Sequence, residues 1–113
     1  MIQIFHNARC TKSRECLAFL YDTNQDFEVV KYLETPPTFD ELKDIIRKLN
    51  IKPLELVRQK EPIWIEKLKS KKLSDDQIIQ TMTDYPILIE RPIVIHGDRA
   101  VIARPIEKMQ SII

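Results

Sequence analysis

The sequence is poor in the features that mark several classes of protein. Its 113 residues include two cysteines, too few for a disulfide framework, and two widely separated histidines, which argue against a zinc site. Its 18 basic and 17 acidic residues leave a net charge of +1, which gives no reason to expect nucleic acid or an anionic membrane as a partner. No apolar run approaches the roughly 18 residues of a transmembrane helix. We therefore predict a protein without a metal site, a nucleic-acid partner or a membrane span.

The start of the chain also lacks the pattern of a signal peptide. Met1-Ile2 leads directly into a polar segment that contains Cys10, with no basic start followed by an apolar stretch. We therefore expect a cytoplasmic protein, in which thiols stay reduced and a reactive cysteine is favoured over a disulfide. The 43% apolar and 31% charged residues are typical of a globular protein. The length predicts one domain over residues 1–113, and we expect a monomer.

The first third of the chain predicts a βαβ unit. Residues 2–5 form a short apolar run typical of a strand, and residues 27–32 alternate as a second strand. Between them, residues 10–22 predict a helix because their apolar side chains recur at helical spacing. These side chains are Cys16, Leu17, Phe19 and Leu20. A strand, a helix and a strand within about 30 residues indicate a right-handed parallel unit.

The middle of the chain, from about residue 38 to residue 84, predicts a helical section. Residues 38–41 and 74–77 both fit a capping box, so each indicates the start of a helix. The apolar stripes of the two helices are Phe39, Leu42, Ile45, Ile46 and Leu49, and Ile78, Ile79 and Met82. Residues 52–72 predict short helical pieces, in which Pro53 and Pro62 suit first helical turns.

The end of the chain returns to β structure. Residues 93–95 and 100–102 predict two strands, joined by a four-residue connection over 96–99 that contains the only glycine. Arg104-Pro105 then begins a predicted final helix. Its apolar side chains are Ile106, Met109, Ile112 and Ile113.

The order of these elements predicts the fold class. A βαβ half joined through helices to a ββα half is the thioredoxin-like α/β pattern: a four-stranded mixed sheet flanked by helices, with a helical insertion between the halves. Arg91-Pro92 precedes the third strand, where that fold has its cis-proline.

Cys10 is the strongest candidate for a reactive residue. It lies where the first strand gives way to the first helix. The free N–H groups at a helix start and the positive end of the helix dipole favour a thiolate over a thiol. Arg9, Lys12 and Arg14 add positive charge nearby. The competing interpretation is that Cys10 is a small buried hydrophobic residue.

Arginines are predicted to meet at the same edge of the sheet. The third strand is expected to run antiparallel to the first, so its start, at Arg91, lies at the edge where Cys10 follows the first strand. The fourth strand reverses again, so Arg104 at its end returns to that edge. Arg58, in the helical section, is a third candidate. Guanidinium groups bind oxyanions through paired hydrogen bonds, although an arginine taken alone is more often a surface charge; Arg91 and Arg104 gain weight because each stands at a strand end beside a proline.

The absence of a second cysteine within disulfide reach of Cys10 favours an external thiol as the reductant. A dithiol enzyme usually has its second cysteine three residues on, where this chain has Ser13. Cys16 lies about 120° around the helix from Cys10 and roughly 9 Å along it, beyond disulfide reach, and is predicted to lie in the core.

His6 has two possible roles: it orients or helps to ionise Cys10, or it is a polar residue at a strand end whose hydrogen bonds are satisfied.

The chain resembles the glutaredoxin-coupled arsenate reductases. The resemblance extends over essentially the whole chain and is carried by residues 6–14, 32–37 and 86–94 and by Arg104-Pro105. It implies that Cys10 is the nucleophile and that three arginines hold the arsenate oxygens: Arg58, Arg91 and Arg104. It also implies a helper role for His6, a place beside the thiolate for Ser13, and a cis bond before Pro92. Ala8 departs from the family, which commonly has proline there, and this loosens the loop.

The resemblance also implies a mechanism and its partners. The Cys10 thiolate attacks arsenic and forms a cysteinyl–arsenate ester. Glutathione, a co-substrate and not a bound cofactor, then attacks the arsenic and reduces As(V) to As(III), and glutaredoxin regenerates the thiol. The expected activity is thus arsenate reduction in arsenic detoxification. Two alternatives stay open: a regulator of the Spx type that docks on RNA polymerase, and a reductase-like protein that acts on another oxyanion.

Overall fold

The computed structural model describes residues 1–113, which form two compact units. The first unit joins the two ends of the chain, Met1–Thr35 and Arg91–Ile113, and the second is the continuous segment Pro36–Glu90. No helix has both the length and the apolar character that a membrane crossing requires. The single domain over residues 1–113 stays a prediction.

A four-stranded mixed sheet forms the centre of the first unit and confirms the predicted fold class. The strands are β1 (Ile2–Phe5), β2 (Phe27–Val30), β3 (Ile93–His96) and β4 (Arg99–Ile102). Their order is β2-β1-β3-β4. β1 pairs with β2 in parallel, and the β1–β3 and β3–β4 pairs are antiparallel. Because of these two antiparallel pairings, β3 begins and β4 ends at the edge of the sheet at which β1 ends.

One face of the sheet is covered by helix α1 (Thr11–Asp22) and by a 3₁₀ helix over Ile106–Ser111. Alternation along β1 directs Ile2 and Ile4 to this face. The buried residues of this core come from both ends of the chain: Ile2, Ile4, Cys16, Leu20, Val94, Ala103, Met109 and Ile112. The first unit therefore has a core that neither end of the chain can complete by itself.

The second unit is helical, as predicted. Helices α2 (Phe39–Leu49) and α3 (Asp75–Asp84) begin at Thr38 and Ser74, and both have the reciprocal hydrogen bonds of a capping box. Three short helical segments complete the unit: Pro53–Leu56, Trp64–Leu68 and Pro86–Leu88. A single antiparallel bridge joins Val57 to Ile89. The backbone around this bridge holds Arg58, whose N–H donates to the Leu88 carbonyl at 2.8 Å.

Three predicted boundaries were wrong. β2 ends at Val30 and not at residue 32, because the Lys31 carbonyl accepts from the N–H groups of Glu34 and Thr35 and turns the chain. The β3–β4 connection has two residues and not four: His96 pairs with Arg99, and Gly97 at φ +61° supplies the left-handed conformation that such a tight turn requires.

The last predicted helix is a 3₁₀ helix that ends at Ser111, so Ile112 and Ile113 follow it. The Arg91–Pro92 peptide bond is cis, as the resemblance implies, and the Arg104–Pro105 bond is also cis.

Candidate active site

Cys10 occupies the N-cap position of α1, as its place in the sequence predicts. Its extended backbone (φ −94°, ψ 122°) ends the approach from β1, and its carbonyl accepts the first helical bond, from the N–H of Arg14 at 3.0 Å. The side chain is partly exposed. The sulfur is therefore accessible to solvent at the positive end of a twelve-residue helix.

Two arginines from distant parts of the chain lie against this cysteine. Arg104, two residues beyond β4, places its Nη2 3.5 Å from the Cys10 Sγ and donates from its Nε to the Arg91 carbonyl at 2.6 Å. Arg91, two residues before β3, is buried and hydrogen-bonds the sulfur through its side chain. The structure thus brings Cys10, Arg91 and Arg104 together at one edge of the sheet.

The electrostatics of the site favour the thiolate. Burial, the largest single influence, raises the pKa of Cys10. The Ser13 N–H, the hydrogen bond and charge of Arg91, and the Lys12 N–H together outweigh burial and hold this pKa below its ordinary value. Of the two arginines, Arg91 is the one that lowers the pKa of Cys10 through both a hydrogen bond and its charge. Cys10 is therefore a stronger candidate nucleophile than a free cysteine at neutral pH.

His6 and Ser13 form a buried pair behind the cysteine. The His6 Nδ1 lies 2.6 Å from the Ser13 Oγ, which also accepts from the Asn7 N–H at 3.0 Å. Burial lowers the pKa of His6, a hydrogen bond with the Ser13 backbone raises it, and the charges of Lys31 and Arg14 lower it further, so the net shift is downward. His6 is therefore neutral at pH 7 and contacts Ser13, whose N–H in turn faces the sulfur.

Asn7 and Arg14 hold the segment that precedes Cys10, and sequence reasoning did not assign them this role. The Asn7 Oδ1 accepts from the Arg9 N–H at 3.0 Å, and Arg14 donates to the Ala8 carbonyl at 2.9 Å and to the Thr11 hydroxyl at 3.2 Å. An asparagine two residues before the bonded N–H is a recognised turn signal. These bonds restrain the loop at Ala8.

Cys16 is not available for the same chemistry. Its side chain is fully buried in the core of the first unit, as predicted, and burial raises its pKa to about 12. It is therefore protonated at neutral pH and shielded from solvent. Cys10 is the one thiol of this chain that external reactants can reach.

Arg58, the third predicted arginine, belongs to the second unit. Its Nη1 lies 3.5 Å from the Glu61 Oε1 and its Nε lies 4.0 Å from the Glu90 Oε1. A turn brings Arg58 and Glu61 together, because the Glu61 N–H donates to the Arg58 carbonyl at 3.1 Å. The role of Arg58 in holding a substrate stays a prediction, as does the helper role of His6.

Comparisons with known proteins find relatives over almost the whole chain. The profile of the ArsC family matches residues 5–112. The chain is 40% identical to an arsenate reductase of Neisseria meningitidis, over 99% of this chain and 97% of that protein. It is 37% identical to an arsenate reductase of Escherichia coli strain K12, over 99% of this chain and 80% of that protein.

A solved structure extends the agreement to the fold. The arsenate reductase from Vibrio cholerae is 39% identical to this chain and superposes with a TM-score of 0.94, over 99% of this chain and 97% of the other. Sequence and structure are thus similar over essentially the full length of this chain. The chain belongs to the ArsC family.

Proposed function

We propose that this protein reduces arsenate to arsenite, with Cys10 as the nucleophile and glutathione and glutaredoxin as the electron donors. The observation that carries the proposal is the Cys10 sulfur at the start of α1, in contact with the guanidinium groups of Arg91 and Arg104. A thiolate and an arsenate oxyanion repel each other, and two fixed cations offset that repulsion while their forks bind oxygen.

In the first step, the Cys10 thiolate attacks arsenic and forms an S–As bond, and an arsenate hydroxyl takes up a proton from solvent and leaves as water. The thiol of glutathione then displaces a second oxygen as water, so that arsenic carries two sulfur atoms. When these sulfurs join as a disulfide, one electron pair of the two S–As bonds stays on arsenic. As(V) thereby becomes As(III), arsenite is released, and Cys10 is left in a mixed disulfide with glutathione.

Glutaredoxin completes the cycle in this proposal. Its thiolate attacks the glutathione sulfur of the mixed disulfide and frees the Cys10 thiolate, and a second glutathione then reduces glutaredoxin and leaves as oxidised glutathione. The burial of Cys16 supports an external donor, because the chain has no other cysteine that could form an internal disulfide with Cys10.

An NADPH-coupled assay with arsenate, glutathione, glutaredoxin and glutathione reductase tests the proposal. We expect arsenate-dependent NADPH oxidation that disappears when glutaredoxin is omitted. Cys10→Ser should abolish turnover and leave the circular dichroism spectrum unchanged, whereas Cys16→Ser should keep most of the activity.

Turnover by Cys10→Ser would contradict the role of Cys10, and complete loss in a folded Cys16→Ser would show that an internal disulfide is used. Full activity with thioredoxin and its reductase, in the absence of glutathione, would refute the assigned donor. Co-purification with RNA polymerase and no turnover would favour the regulator of the Spx type.

A further inference from the structure

A cleft of about 220 Å³ opens in the first unit beside the segment that carries Cys10. It is lined by residues 6–9 and by Lys31, Leu33 and Glu34, and we call it the β2-side cleft. Neither Cys10 nor its two arginine neighbours line it. The β2-side cleft is therefore separate from the guanidinium groups to which arsenate is assigned above.

The fold places the β2-side cleft next to the reactive cysteine. The Cys10 N–H donates to the Asn7 carbonyl at 3.0 Å, which closes a turn whose two central residues, Ala8 and Arg9, belong to the lining. The ends of such a turn lie within about 7 Å of each other. Because β1 lies between β2 and β3, the cleft flanks the cysteine on the β2 side and the two arginines come from the β3–β4 side.

The walls of the β2-side cleft are held by hydrogen bonds, so its shape does not depend on a ligand. On one side, the Asn7 Oδ1 accepts from the Arg9 N–H. On the other, the Lys31 carbonyl accepts from the N–H of Glu34 at 3.0 Å. The His6 ring is buried, and its Nδ1 is occupied by Ser13.

The charges around the β2-side cleft are mixed. Arg9 and Lys31 are exposed cations, and Glu34 is an exposed carboxylate in the same lining. The Lys31 charge is close enough to act on His6. Leu33, 40% exposed, adds apolar surface. A simple oxyanion would be attracted by the cations and repelled by the carboxylate, whereas a molecule with both carboxylate and ammonium groups can satisfy both signs.

Size and reach agree with a short peptide. The volume is below that of a typical site for a drug-sized ligand, so the cleft can hold one end of such a molecule. An extended chain spans about 3.3–3.6 Å per residue, so a thiol one or two residues from the anchored end reaches about 7 Å, the separation of the two ends of the turn that carries Cys10.

We propose that the β2-side cleft binds the charged end of the thiol donor, a small dipolar peptide of the glutathione type, with Arg9 and Lys31 on a carboxylate and Glu34 on the ammonium group. This inference rests on the proposed function. It assigns the two reactants to opposite flanks of Cys10, so that the donor sulfur approaches arsenic from the side away from the arginines.

Binding of S-methylglutathione, which has no free thiol, tests the inference without arsenate. With the full chain, we expect NMR shifts of the amides of residues 8–9 and 31–34. Lys31→Gln and Arg9→Gln should each raise the Kd for S-methylglutathione and the KM for glutathione by up to about fivefold, as expected for exposed ion pairs, while the KM for arsenate stays within about twofold. Glu34→Gln should weaken binding of S-methylglutathione and not of its analogue without the ammonium group. Lys72→Gln, at an exposed lysine of the second unit, is the matched control.

Absence of shifts in these amides, or equal effects of Lys31→Gln and Lys72→Gln, would overturn the inference. Inorganic phosphate that shifts the same amides and displaces S-methylglutathione would also overturn it, because the cleft would then be a plain anion site. If S-methylglutathione binds as expected and arsenate is not reduced, the proposed function fails and the cleft assignment stands. If arsenate is reduced and the Arg9 and Lys31 variants behave like the wild type, the cleft assignment fails and the proposed function stands.

Discussion

The reactivity of a single sulfur depends on the balance between burial and its hydrogen-bond donors. Burial raises the pKa of Cys10, and the Ser13 N–H and the Arg91 side chain lower it. Arg91→Met removes the donor and the charge, and burial remains. We therefore expect the pKa of Cys10 to rise, so that alkylation by iodoacetamide requires a higher pH than in the wild type. The pH dependence of the alkylation rate measures this change.

The control for this experiment is Arg99→Gln. It also removes one positive charge, but Arg99 pairs with His96 at the opposite end of β4 and donates to the Ser111 carbonyl. Its alkylation profile should match that of the wild type. An unchanged profile for Arg91→Met would show that the helix start and Arg104 sustain the thiolate without Arg91. Because Cys16 is fully buried, the native chain should present one reactive thiol throughout.

At the scale of an element, the connection from β1 to α1 depends on one buried hydroxyl. The Ser13 Oγ accepts from the buried Asn7 N–H and pairs with His6. Ser13→Ala leaves that N–H without its acceptor, so we expect the free energy of unfolding to fall by about 1–3 kcal/mol. Urea denaturation monitored by circular dichroism measures the loss. Ser70→Ala, at an exposed serine, should stay within about 0.5 kcal/mol of the wild type. Equal stability of the two variants would remove the structural role assigned to Ser13.

At the scale of the whole molecule, the first unit is closed by the last residues of the chain. Met109 is fully buried in the core that also contains Ile2 and Cys16. Met109→Ala should cost about 2–5 kcal/mol of unfolding free energy and should also make Cys16 accessible to alkylation at lower urea concentrations. The exposed Gln110, in the same 3₁₀ helix, gives the control Gln110→Ala. Protection of Cys16 that is unaffected by Met109→Ala would show that the unit does not depend on its C-terminal segment.

Much of the fold could be predicted because its signals are local. The capping boxes at Thr38 and Ser74 mark where α2 and α3 begin, and the apolar run in β1 marks a strand. The predicted boundaries of β2 and of the β3–β4 connection were wrong because two local sequence signals there favour different structures. Tyr32 continues the apolar–polar alternation of β2, but the Lys31 carbonyl accepts hydrogen bonds from the N–H groups of Glu34 and Thr35, which form a turn. His96 and Arg99 resemble loop residues, yet they pair across a two-residue turn.

The candidate site was partly visible in the sequence for the same reason. Cys10 follows a strand and precedes a helix, so its place at a helix start depends only on neighbouring residues. The Ser13–His6 pair and the bonds that Asn7 and Arg14 make around Ala8 depend on side-chain directions within the turn, and no periodicity in the sequence reports those directions.

The sequence by itself determined the elements, the helix start under Cys10 and the absence of a second thiol three residues on, because each is a property of adjacent residues. Only the tertiary structure decided that Arg91 and Arg104 contact that sulfur, that Cys16 is sealed in the core, and that a cleft of mixed charge lies beside the Cys10 turn. Those arrangements join residues up to 94 positions apart. The arginine contacts exist because pairing of β1, β3 and β4 returns the chain to one edge of the sheet, and the cleft exists because parallel pairing of β1 and β2 brings residues 6–9 beside residues 31–34.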